Sequence, residues 1–378
     1  MNQLDHKKKI LAHCRRVVIK IGSSVLSSTA GLNRERIRDL TRQIIAVRDR
    51  GMEVAVVTSG AIAAGVARLD LQRKPRTIPE KQAAAAVGQI GLMALYERSF
   101  SRRGHKVAQV LLTRDDLSNR RRYLNAKHTF LTLLHRKVIP IVNENDTVAV
   151  EEIQFGDNDE LSGMVATLLE ADLLVILSDV EGVFEEDPRR NPRAPLVPVI
   201  EGLSEISRKY AGSSQSDFGR GGMASKLDTA VKAGAAGIGT IIASGLKKGV
   251  LAKIFDPLCK VGTLILPVGN RVAGRKHWIA FTLKPAGEIM VDQGAWRAVI
   301  KQGRSLLPSG LKGVTGNFGA GECVRCLSPE GVEFARGLVN YSSQELEKIK
   351  GVHSSGIEVV LGFKVSDEVI HRDDLVLL

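Results

Sequence analysis

The chain has 378 residues, 44% hydrophobic and 25% charged, with a net charge of +13; this is the mixture of a two-domain globular protein and excludes general disorder. Its apolar runs fall far short of the roughly 18 residues of a membrane span. Four scattered cysteines, Cys14, Cys259, Cys323 and Cys326, exclude a disulfide scaffold and point to a reducing cytoplasm. The start, Met1 to Lys9, lacks the apolar segment and cleavage site of a secretory signal.

Short β-branched runs alternate with longer helical stretches over the first ~265 residues. In chain order, Val17–Ile21 reads as a buried strand, Arg34–Arg50 as a helix with Gly51 at its end, and Glu53–Thr58 as the next strand. Gln82–Arg98 is helical, Val107–Leu112 a strand, Asn119–His135 a helix and Val138–Val142 a strand. Leu161–Glu170 is helical and Leu173–Leu177 a strand; Asp187–Pro198 reads as a loop. Such alternation predicts βαβ units, a mostly parallel sheet and helices on both faces. Beyond residues 267–285 the texture changes. Short strand-like pieces follow, at 287–291, 323–327, 333–337 and 357–361, with one helix at Gln293–Lys301, so a smaller, mainly β second domain is expected.

Charge narrows the partners. Residues 285–378 hold 10 Lys and Arg against 12 Asp and Glu, a net of −2, which leaves +15 on residues 1–284. A basic surface suits nucleic acids or small anions. With only 4% aromatic residues there are few platforms for stacked bases, so a small anionic substrate fits at least as well.

Four segments carry chemistry. Lys20-Ile21-Gly22-Ser23-Ser24 follows a buried strand, where a parallel sheet binds ligands; its turn can offer N–H groups to phosphate and Lys20 a charge. Thr58-Ser59-Gly60 ends the next strand; helix capping is the plain alternative there. Asn143-Glu144-Asn145-Asp146 and Asp157-Asn158-Asp159-Glu160 gather more carboxylates and amides than two turns require, and could hold an ammonium group or orient lysines. Gly219-Arg220-Gly221-Gly222-Met223-Ala224-Ser225-Lys226 is a Gly-rich loop feeding a helix, a phosphate-binding arrangement without a Walker A Gly-Lys pair. The single CxxC, Cys323 to Cys326, lies in a strand and lacks the second ligand pair of a zinc site.

These strings, in this order, resemble the glutamate 5-kinases. The match extends through residues 18–26, 57–65, 85–89, 111–114, 142–146, 156–159 and 221–226, then through Pro285–Glu288, Ser305–Pro308 and Val314–Phe318 of a PUA domain. The resemblance implies an amino-acid kinase domain over residues 1–270, a linker over 271–284 and a PUA domain over 285–378. It implies transfer of the ATP γ-phosphoryl group to the side-chain carboxylate of L-glutamate, with Mg2+ carried on the ATP phosphates. Lys20, Lys226 and Asp159 are the implied catalytic residues, and Ser59, Asn143, Asp146 and Asn158 bind glutamate. Lys20, Gly22, Ser23, Ser178, Asp179, Arg220, Gly221, Gly222, Met223, Ala224, Ser225 and Lys226 bind the nucleotide. Where the family commonly has Thr, this chain has Ser178 and Arg220. Proline as feedback inhibitor, a cytoplasmic homo-oligomer (tetramer or dimer) and the next enzyme of the proline pathway as a partner are also implied. Two rivals stand beside this reading: a related kinase with another acceptor, and an RNA-binding PUA protein, which the net charge of −2 disfavours.

Overall fold

The computed structural model describes residues 2–28, 31–71, 73, 75–118, 120–149, 158–188, 190–201, 222–267 and 285–378. Two compact units are distinguished, Met1–Leu117 with Ala126–Val268 and Ser118–Asn125 with Gly269–Leu378.

Elements of the first unit begin with a helix the sequence reading did not assign, α1 (Gln3–His13), started by Asn2, whose side chain accepts from the N–H groups of Leu4 and Asp5. Its Lys7 is buried and donates to the carbonyls of Lys253 at 2.6 Å and Cys259 at 2.7 Å. Strand β1 (Arg16–Ile21) and the short α2 (Ser23–Leu26) follow, then the small pair β2 (Ser27–Ser28) and β3 (Gly31–Leu32). Next come α3 (Arg34–Arg48), β4 (Glu53–Thr58), α4 (Ala61–Arg68) and α5 (Ile78–Ser101). The last is longer than expected because Thr77 and Glu80 form a capping box and Pro79 suits the first turn. Then β5 (Val107–Leu112), α6 (Arg114–Ser118), α7 (Arg120–His135, of which the part from Ala126 belongs to this unit), β6 (Ile139–Glu144), α8 (Asp159–Leu168) and β7 (Leu173–Ser178) continue the alternation. Strand β8 (Val199–Ile200), α9 (Met223–Ala235), β9 (Gly239–Ser244), α10 (Val250–Ile254) and β10 (Thr263–Ile265) complete the unit.

The sheet order is β5-β6-β4-β1-β7-β9-β10-β8, and all pairs are parallel except β10 with β9. Strand β1 is the switch point: the chain adds strands on one side of it, then on the other. Alternation along β1 sends Val17, Ile19 and Ile21 into a core with Ile37, Leu40 and Ile44 of α3 and Leu92, Tyr96 and Phe100 of α5. Lys20 therefore turns to the opposite face, where α8 and α9 pack together through Gly163 and Thr229. Helices thus cover both faces, as the apolar strands require.

In the second unit β11 (Gly287–Val291), α11 (Gln293–Gln302), β12 (Leu311–Gly316), β13 (Cys323–Leu327), β14 (Glu333–Leu338), α12 (Ser343–Ile349), α13 (Ile357–Leu361) and β15 (Leu375–Leu377) form a small mainly β domain. Its sheet order is β12-β11-β13-β14-β15, around a core that includes Ile289, Val324, Phe318 and Tyr341. Residues 357–361 correct the sequence reading, which expected a strand: they form one helical turn. Only Ile357 of that turn is buried and Val359 is 88% exposed, so the run has no sheet face to fill. The strand beside β14 is instead Leu375–Leu377. Cys323 and Cys326 are buried in β13, and burial pushes the Cys326 thiol up to about 12, away from thiolate chemistry.

Candidate active site

The site lies at the carboxyl ends of β1, β4, β6 and β7, where α8 and α9 begin. Lys20 is the penultimate residue of β1, only 2% exposed, and Asp159 opens α8, fully buried. Lys226 stands in the first turns of α9, 6% exposed. Lys20 Nζ lies 2.6 Å from Asp159 Oδ1 and Lys226 Nζ 2.9 Å from Asp159 Oδ2. One buried carboxylate thus holds two ammonium groups apart at a fixed spacing, and the three groups together carry a net positive charge. Burial of such a cluster is costly unless an anion completes it. The geometry is suited to straddling a transferring phosphoryl group.

The turn after β1 departs from expectation in one detail. The Gly22 N–H is committed to Leu177 O at 2.9 Å, so it serves the sheet, and the Val25 N–H returns to Gly22 O at 3.1 Å; the N–H groups of Ser23 and Ser24 lead α2 and suit an anion. Gly222 caps α9 without a side-chain hydrogen bond, which leaves the leading N–H groups of Met223, Ala224 and Ser225 pointing outward from the helix. Arg220 and Gly221 lie outside the described residues. At the end of β7, Ser178 Oγ donates to Asp179 Oδ1 at 2.9 Å, and Asp179 itself is exposed.

On the other side of β1, Gly60 adopts φ +105° and starts α4, so Ser59 is not the cap; it lies buried just past the end of β4. Asn158 is the N-cap of α8, yet its side chain makes no capping bond. Instead its Nδ2 donates to Thr58 O at 2.5 Å and to Asn143 Oδ1 at 2.7 Å. Asn143 Nδ2 in turn donates to Gln89 Oε1 of α5 at 2.8 Å. Thr58 Oγ1 pairs with the buried Tyr96 hydroxyl at 2.8 Å, two helical turns from Gln89 on the same face of α5. Burial pushes the Asp146 carboxyl up to about 6, against the pull of its own backbone N–H. A carboxylate held this way favours a cationic partner. Sequence reasoning assigned no role to Gln89 or Tyr96 and gave Thr58 only as a candidate helix cap; the signal was the amide of Gln89 itself, closing the Ala-rich run after Gln82.

The amino acid kinase family profile matches residues 15–244, and the PUA domain profile matches residues 287–361. A glutamate 5-kinase of Citrifermentans bemidjiense is 51% identical over 98% of this chain and all of that protein. The chain belongs to the glutamate 5-kinases of the amino acid kinase family. A further glutamate 5-kinase, of Geobacter sp. strain M21, is 50% identical over 98% of this chain and all of that protein. A solved isopentenyl phosphate kinase of T. acidophilum overlays with a TM-score of 0.45 at 17% identity, over 66% of this chain and 99% of that one. The glutamate 5-kinase strings quoted from the sequence fall on three of the strand ends described here: Lys20 on β1, Ser59 after β4 and Asn143 on β6.

Proposed function

We propose that this protein transfers the γ-phosphoryl group of ATP to the side-chain carboxylate of L-glutamate, giving L-glutamyl 5-phosphate for proline biosynthesis. The observation that carries this reading is the Lys20–Asp159–Lys226 cluster, at 2.6 and 2.9 Å, beside the amide chain that starts at Asn158 and runs through Asn143. A carboxylate is ionised at neutral pH, so the nucleophile needs no general base. One oxygen of the glutamate γ-carboxylate forms a bond to the γ-phosphorus, and the bond from that phosphorus to the bridging β,γ-oxygen breaks. The electron pair leaves with ADP. Lys20 and Lys226 balance charge on the phosphoryl oxygens, and Asp159 holds both lysines in place.

The leading N–H groups of α2 and α9, with Ser178 and Asp179, bind the nucleotide in this reading; Ser59, Asn143, Asp146 and Asn158 bind glutamate. Both Asp159 oxygens face lysines, so this carboxylate is left to hold the lysines; Mg2+ carried on the ATP phosphates would neutralise part of their charge. We further propose a kinase domain over residues 1–270 joined by residues 271–284 to a PUA domain over 285–378, in a cytoplasmic homo-oligomer. Among the described residues no helix is long and apolar enough to cross a membrane. Proline, sharing the α-carboxylate and ammonium of glutamate, acts as a feedback inhibitor at the glutamate wall.

The test is hydroxylamine trapping of the acyl phosphate with ATP, Mg2+ and a panel of acceptors. Hydroxamate from L-glutamate is the expected product. Turnover of another acceptor alone would keep the fold and discard the substrate.

A further inference from the structure

The amide chain has one rotational sense, and a backbone atom sets it. Thr58 O can only accept, so the Asn158 atom 2.5 Å away is its Nδ2. That same Nδ2 lies 2.7 Å from Asn143, which must therefore face it with Oδ1. Asn143 then turns Nδ2 to α5, and the Gln89 atom 2.8 Å away must be Oε1. At the far end Gln89 Nε2 is buried and has no hydrogen-bond partner among the described residues. Side-chain amides are otherwise free to present either end, so a chain anchored at one end by a carbonyl needs an acceptor at the other to hold its middle member.

The consequence is a defined polarity at the wall. Both N–H hydrogens of Asn158 are spent on the protein, at Thr58 and Asn143. What Asn158 can offer a ligand is its Oδ1, an acceptor. Asn143 retains one N–H beyond its bond to Gln89, a donor. An acceptor together with a donor matches the ammonium and carboxylate of an amino acid.

We propose that Gln89 is a positioning residue for the amino-acid substrate. Through its Oε1 it accepts the Asn143 N–H and holds Asn143 in the sense that Thr58 O sets through Asn158, and so keeps the wall in the polarity that takes an α-ammonium group. The inference rests on the glutamate reading above and names a residue that maintains its selectivity.

The experiment compares wild type, Gln89→Leu and Gln89→Glu. It measures KM for L-glutamate, KM for ATP, and the ratio of kcat/KM for L-glutamate over glutarate, which lacks the ammonium. Leu removes the acceptor. The expected result is a rise in glutamate KM of roughly tenfold or more, the effect of one or two lost hydrogen bonds, with ATP KM within about twofold. The glutamate-to-glutarate ratio narrows as well. Glu keeps an acceptor for the Asn143 N–H and restores both quantities to within about threefold of wild type, on the same scale. Should Gln89→Leu not fold, Gln89→Lys, which offers only donors, must give the same narrowing. An unchanged ratio in the variant that folds, or equal rises in glutamate and ATP KM, overturns the proposal. Wild type that makes no hydroxamate from glutamate overturns the functional reading, and the inference falls with it; active wild type with an indifferent Gln89→Leu overturns the inference alone.

Discussion

Gly88 of α5 lies so close to Ala61 of α4 that a Cβ on it would stand 1.8 Å from the Ala61 carbonyl oxygen. Gly65 of α4 meets the Ala84 carbonyl in the same way, at 1.7 Å. The two helices interlock at glycines, and this brings Gln89 and Tyr96 up to the ends of β4 and β6. Gly88→Ala must push them apart. It is expected to cost about 1–3 kcal/mol, as overpacking does. A thermal melt reads the loss. Glutamate KM should rise more than ATP KM, because the displaced helix carries Gln89.

The paired lysines give a kinetic prediction. Lys20→Ala and Lys226→Ala should each lower kcat by roughly 10²–10³-fold, the scale for losing one preorganised group that stabilises transition-state charge. Hydroxamate formation measures the loss, with far-UV circular dichroism checking the fold. A variant that keeps more than half of wild-type kcat would remove that lysine from the chemistry.

Asp159 gives a stability prediction of a different size. Asp159→Asn leaves two buried ammonium groups without their shared carboxylate. Breaking a buried ion pair costs about 3–5 kcal/mol, so this variant should melt lower than either lysine variant. A triphosphate supplies negative charge at the same place. ATP should therefore raise the melting temperature of Asp159→Asn, and a calorimetric scan with and without ATP decides it.

Asp146 gives a pH dependence. Burial raises its folded pKa from 3.8 to about 6, so protonation is favoured in the folded chain. The sign follows: this carboxyl's contribution to stability is fully present below pH 3.8 and is lost as pH rises through about 6. Above that pH the free protein holds a partly buried carboxylate without a side-chain partner among the described residues, and a substrate ammonium relieves it. kcat/KM for glutamate should fall below pH about 6, and Asp146→Asn should flatten that limb while raising KM. Glutamate should also protect against heat more at pH 7.5 than at pH 5, and equal protection would contradict the pairing.

The alternation of strand and helix was legible because buried parallel strands are apolar on both faces. Strands 53–58, 107–112, 287–291 and 323–327 fall where the sequence put them. Lys20, Asn143 and Asp159 were legible too, as polar residues directly abutting such strands or opening a helix. What was not legible depends on tertiary pairing. The turn at 357–361 has strand-like composition but no edge to join. Strand β15 was invisible until β14 was there to receive it. The Gly22 N–H looked available because sequence cannot show that Leu177 O, more than a hundred residues on, has already taken it. Gln89 was hidden for the same reason: its role is defined by Asn143, across α7 and β5.

Strand β1 divides the sheet, with β4 and β6 on one side and β7 and β9 on the other. In the proposed reading the amino acid meets the first pair and the nucleotide the second. The fold should then sort mutations by address. Changes at the ends of β4 and β6 would be expected to appear as acceptor phenotypes, including altered response to proline. Those at β7 and β9 would appear as nucleotide phenotypes. Substitutions on β1 itself, which borders both, would be turnover phenotypes that added substrate cannot rescue. A genetic screen for proline overproduction would, on this geometry, leave the β7 and β9 edge largely untouched.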